Sequence, residues 1–183
     1  MADKIANAFD AAARSLRTIV APVVDENDSL ASEQLRVVAG MLDFYRDRIA
    51  YEYPRKAYEL SVYCTLADRL LREFPDAAAG LADALRTARA VADQPLAEYA
   101  ALDHAVSELT REIGTFTHAA WDHDAGTGAA VGRLVLGESR RLTDLRRSWF
   151  LPQGGDPAPD SVVPLASLLA LESEHLTVSI PQE

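Results

Sequence analysis

Between Leu102 and Ala120 the apolar residues Leu102, Val106, Leu109, Ile113, Phe116 and Ala120 recur every three or four positions. A half-buried strand would show them at every second position, so the spacing predicts an amphipathic α-helix. The opposite side carries His104, Glu108, Arg111, Thr115, His118 and Asp122. A helix with one apolar stripe is stable only against other apolar faces, so the chain must fold as helices packed on helices.

The same period continues in both directions. Ile5, Phe9, Ala12, Leu16 and Ile19 mark a first helix from about Ala2 to Ala21, limited by Pro22. A second, capped by Asp28 or Ser29, is expected to reach Tyr51. Its apolar arc is unusually wide: Leu35, Val38, Leu42, Tyr45 and Ile49, broadened by Val37, Met41 and Phe44. An arc near half the circumference predicts two or more covering neighbours. Pro54 breaks or kinks the chain. A third helix then runs to Phe74 on Leu60, Cys64, Ala67 and Leu71, and Pro75-Asp76 opens an Ala-rich fourth to Ala92. Asp93-Gln94-Pro95 is read as the start of the fifth, and Asp124-Ala125-Gly126 as its end. The sixth spans Thr127 to Phe150, with Val131, Leu134, Val135, Leu142, Leu145 and Trp149 in register. No strand pair, repeat or long low-complexity segment is legible.

These elements predict an all-α fold, a single-domain and mostly antiparallel bundle of about five to seven helices. Residues 1–150 form its core, 151–163 a mobile Pro/Gly-rich loop, and 164–183 a short helix and tail packing on the same domain. A chain of 183 residues suffices for one domain with its own core.

Charge narrows the function. A net charge of −10 argues against nucleic acid and against an anionic membrane surface. No apolar run reaches the length needed to span a bilayer. Cys64 is the single cysteine, which excludes an intramolecular disulfide and an all-thiolate metal site. The opening residues form an amphipathic stretch rather than a secretory leader. A cytoplasmic location follows as the expectation, and the excess of Arg over Lys suits a GC-rich bacterial genome.

Several clusters invite a chemical reading. Glu138 stands between Val135 and Leu142 in the sixth helix's apolar stripe. A carboxylate there is either paired with an Arg or Tyr of another helix or faces a pocket, with Tyr45 and Tyr63 as the other candidate lining residues. His118, Asp122 and His123 could supply nitrogen and oxygen ligands to a metal at the fifth helix's end. His104 is fourteen residues from His118, roughly 21 Å along a helix, too far to join them. Glu172 and His175 make one Glu-x-x-His spacing, where a di-iron centre needs two. Gly126, Gly128 and Gly132 lack the preceding strand of a dinucleotide-binding loop, and suit a helix end and close packing. Arg133, Arg140 and Arg147 share the sixth helix's outer face with Asp144, as a solvated face or a dock for an acidic partner. Five of six tyrosines lie between Tyr45 and Tyr63 among arginines, a composition suited to protein interfaces. Tyr58 and Val62 form a second apolar face there, and with Tyr51 and Arg55 they are the candidate interface.

No hydrolase elbow, Walker loop, zinc-protease helix or Cys-x-x-Cys pair is present, so no catalytic residue and no cofactor is assigned. The reading is a non-catalytic accessory or interaction protein that self-associates, as a dimer, with room for a further protein partner. The alternatives are a ligand pocket beside Glu138 and a metal site at His118.

Overall fold

The computed structural model describes residues 2–75 and 79–170. Among them the chain is all-α, with no strand. Six α-helices are α1 (Ala2–Ser15), α2 (Ser29–Arg48), α3 (Glu52–Glu73), α4 (Ala79–Ala92), α5 (Tyr99–His123) and α6 (Ala125–Phe150), with a further helical turn at 165–170. No described helix is long and apolar enough to cross a membrane. The chain divides into two compact units. The first holds Met1–Glu52 and Trp149–Gly155, the second Tyr53–Ser148 and Asp156–Glu183.

In the first unit α1 and α2 form an antiparallel hairpin. Arg46 reaches Asp10 at 3.4 Å and Arg17 pairs with Asp43, so rising numbers on one helix meet falling numbers on the other. Ala13 and Ala39 are the buried side chains of the two helices, small enough to let them approach. The α-helical part of the first helix stops at Ser15, earlier than its pattern predicts. Pro22 cannot donate to the carbonyl four residues back, and the ladder widens into a π turn over Leu16–Val20 and then a 3-10 turn over Ala21–Val23. Asp28 caps α2, accepting from the Ala31 N–H at 2.9 Å. Phe44 stacks on Phe150 at 5.9 Å and meets Trp149 edge-on at 6.2 Å, while Arg48 Nε donates to the Trp149 carbonyl at 3.0 Å.

In the second unit the α5 stripe behaves as its period requires: Leu102, Val106, Leu109, Ile113, Phe116 and Ala120 are all buried. They join Leu60, Leu66 and Leu70 of α3, Leu81 and Leu85 of α4, and Val131 and Leu134 of α6 in one core. Pro54 does not break α3. It occupies the first turn, where its missing N–H has no intrahelical partner to lose. The fifth helix starts at Tyr99, after a turn containing Pro95, and not at Asp93-Gln94-Pro95. The described part of the fourth begins at Ala79.

The corner between α5 and α6 is set by Asp124, not by a left-handed glycine at Gly126. Asp124 accepts from the Thr127 N–H at 2.9 Å and from its hydroxyl, which holds the carboxyl below the usual carboxylate range. Gly154 alone among the described residues has positive φ. Gly128 is the close approach. A Cβ there would fall inside the van der Waals envelope of the Trp121 ring, whereas one at Gly132 would meet open space. Gly128→Ala is therefore expected to cost roughly 1–2 kcal/mol net of alanine's helix propensity. In a Trp121→Ala background the same substitution becomes neutral or stabilising. Thermal denaturation of the four-member cycle checks this, and an additive cycle would place the cost elsewhere.

Beyond α6, Arg147 clamps the returning chain. Its Nε and Nη2 lie 2.8 and 2.9 Å from the Asp156 carboxylate, and Nη2 also donates to Ser161 Oγ at 2.9 Å. Ser148, fully buried, donates to the Val163 carbonyl. Arg147 first, then the Ala158 N–H, hold Asp156 down to about 2. A depressed carboxyl stabilises above its unfolded value of 3.8 and loses that contribution as pH falls through 2. Hydrogen-exchange protection over 156–163, taken relative to the intrinsic rate at each pH, should fall between pH 4 and pH 2. In Asp156→Asn it should already be low at pH 6, and full protection in that variant would remove the clamp's role.

Candidate functional site

Two grooves flank α5 within the second unit. The first, about 490 Å³, lies between α4 and α5. Its floor is Ala84 and Ala88 of α4 and Ala101 and Ala105 of α5, with Val91 at one end. Each helix repeats alanine four residues apart on one face: Ala88 and Ala105 are buried in the core where the helices pack closely, and Ala84 and Ala101 are half-exposed along the groove. Asp83, Glu108 and Glu112 supply carboxylates to the lining, and Arg111 supplies a guanidinium. Arg111 Nη2 stands 2.9 Å from Glu108 Oε2 and 2.7 Å from Glu112 Oε1, so two carboxylates share one cation. The Arg111 hydrogen bond, then its charge, lower the Glu108 pKa, and the same hydrogen bond raises that of Arg111. The other Glu112 oxygen presses on Gly80, where a Cβ would stand 2.7 Å away.

The second groove, about 740 Å³ and more open, runs between α3 and α5 past Tyr63, Thr110, Arg111, Thr115 and His118. Lys56 is buried at its edge, 3.0 Å from Glu59 Oε2 and 2.9 Å from Asp103 Oδ1. Burial pulls the Lys56 pKa down, and the hydrogen bonds to Asp103 and Glu59 outweigh it, leaving a raised value.

Glu138 is inside, as its register requires, at 8% exposure. Arg69 Nη1 of α3 donates to its Oε1 at 2.7 Å, and Arg141 stands 3.8 Å from Oε2. It lines neither groove. Its carboxylate is held in an interhelical ion pair. Tyr63 lines the α3/α5 groove, while Tyr45 lies in the first unit beside Phe9 and Phe44. His118, Asp122 and His123 are all exposed. His123 Nε2 is 3.8 Å from Asp124, whose carboxylate already caps α6, and no metal-holding group of three side chains occurs among the described residues. Glu172 and His175 lie outside the described residues. Arg147 is engaged by Asp156, and Arg133 and Arg140 are exposed. Cys64 sits among core residues, and burial pushes its thiol up to about 11, which makes it a poor nucleophile.

The interface candidates fall differently from their pattern. Tyr58 and Val62 do form a second apolar face of α3, but both are buried, with the Arg141 guanidinium 5.5 Å from the Tyr58 ring centre. Tyr51 and Arg55 are half-buried. Surplus apolar surface is found instead on α2. Leu30 is 69% exposed, and Val37, Val38, Met41 and Tyr45 are 40–49% exposed. At 3.6 residues per turn these five fall within an arc of about 100°, opposite the buried Ala39. The wide arc of α2 was the signal for this face: α1 covers one side of it, Trp149 and Phe150 pack on Phe44, and these five residues stay exposed.

No protein-family model matches the chain, and neither a curated protein nor a solved structure matches it.

Proposed function

We propose that the protein is a non-catalytic interaction module that self-associates through the outer face of α2, and that a second copy of the chain covers the part of its apolar arc left open by α1 and by Trp149 and Phe150. The exposed stripe of Leu30, Val37, Val38, Met41 and Tyr45 carries this reading. Together these side chains leave on the order of 500 Å² of apolar surface in water, at the upper range for a monomer. A two-fold pairing with its polar flanks buries on the order of 1,200 Å² in all, the lower bound for a specific dimer.

The face is also self-complementary when two α2 helices run antiparallel. Leu30 then meets Tyr45 of the partner subunit, Met41 meets Gln34, and Val37 and Val38 lie near the axis. Light scattering on the full chain should give twice the 19.9 kDa chain mass at micromolar concentration. A single-chain mass at 100 μM would remove the proposal.

A further inference from the structure

We infer that the α4/α5 groove binds a small organic cation with an apolar body, such as an amine or quaternary ammonium group on a short hydrocarbon. Its volume of about 490 Å³ lies within the usual range of small-molecule sites, roughly 300–1,000 Å³. Ala84 and Ala101, both half-exposed, and Val91 at one end offer a ligand apolar contact along the groove.

Charge selects the ligand's sign. The lining holds three carboxylates; Arg111 is pinned between Glu108 and Glu112, and Arg86 pairs with Asp83 at 2.7 Å, which leaves one negative charge in excess. An anion would have to strip Arg111 from both partners. A cation meets the one negative charge that Arg111 and Arg86 together leave uncompensated, in a protein whose net charge of −10 already attracts it. A bare metal ion fits poorly, because no described group of three side chains can ligate one and the floor is hydrocarbon. The α3/α5 groove is the weaker candidate, since its buried cation Lys56 is doubly paired and its walls are open.

The test is a titration of the full chain with decyltrimethylammonium below its micelle concentration, followed by calorimetry and by amide shifts. The expected result is saturable one-to-one binding with a dissociation constant below about 1 mM and shifts confined to α4 and α5. Decanoate, with the same chain length and opposite charge, should bind at least ~10-fold more weakly. Ala101→Phe fills the groove from a half-exposed position and should weaken binding at least ~10-fold. Should circular dichroism show that variant unfolded, Ala84→Leu makes the same test from the facing helix. Glu108→Gln should weaken binding about 3- to 5-fold and flatten its salt dependence. Absence of saturation, equal binding of decanoate, or full affinity in the folded groove-filling variant overturns the assignment.

Discussion

Arg69→Ala lowers the stability of the second unit by roughly 2–3 kcal/mol, while Glu138→Met leaves it unchanged or raises it. The asymmetry follows from where the two charges sit. Glu138 is nearly buried on α6, in line with the apolar Val135 and Leu142, whereas the Arg69 side chain is 43% exposed and can turn to water. Removing Arg69 strands a carboxylate in the core, with Arg141 at 3.8 Å as its remaining close cation. Removing Glu138 strands nothing, because both arginines reach solvent, and methionine continues the stripe. The figure stays below that for a fully buried pair because of the exposure of Arg69. Urea denaturation of both variants measures it. If Glu138→Met costs more than Arg69→Ala, the carboxylate has a task beyond this ion pair, and the pocket reading of Glu138 returns.

The larger effect is expected on association. Met41→Glu should raise the dimer dissociation constant at least ~100-fold, or about 2.7 kcal/mol. Met41 is half-exposed within the chain, so a carboxylate there is solvated in the monomer and leaves the α1–α2 hairpin intact. In the dimer it would be buried opposite hydrocarbon, and two-fold symmetry places one such charge on each side. Thr115→Glu, an exposed position on α5 in the second unit, is the control and should leave association unchanged. Equal dissociation constants for Met41→Glu and the native chain would move the interface off α2.

Much of the fold was legible because helical period is a local property. The α5 stripe needed only its own spacing, and every residue of it is buried. Boundaries were harder wherever a proline's position in the helix decides its effect. Pro54 sits harmlessly in a first turn, Pro95 lies in the turn before α5, and Pro22 widens the end of the first helix into a π turn. These outcomes depend on which carbonyl the ring meets, and composition does not encode that.

The candidate sites divide along the same line. Glu138 was found because a charge in an apolar stripe is a local anomaly, but its partner Arg69 lies 69 positions away in sequence. Tyr58 and Val62 looked like spare surface because a second apolar face of one helix does not say whether anything covers it. The α4/α5 groove escaped notice because alanine reads as helix propensity, and only the facing of two helices that carry it at Ala84, Ala88, Ala101 and Ala105 leaves a groove between their outer edges.

Oxidative cross-linking at the proposed axis reads out self-association through α2. Val38→Cys places a thiol beside its symmetry mate, while Cys64, partly buried with its thiol pushed up to about 11, stays out of the reaction. Mild oxidation should give a covalent dimer in high yield, Met41→Glu in the same chain should abolish it, and Thr115→Cys should not form one. A Val38→Cys chain that remains monomeric, or a Thr115→Cys chain that cross-links equally well, would contradict self-association through α2.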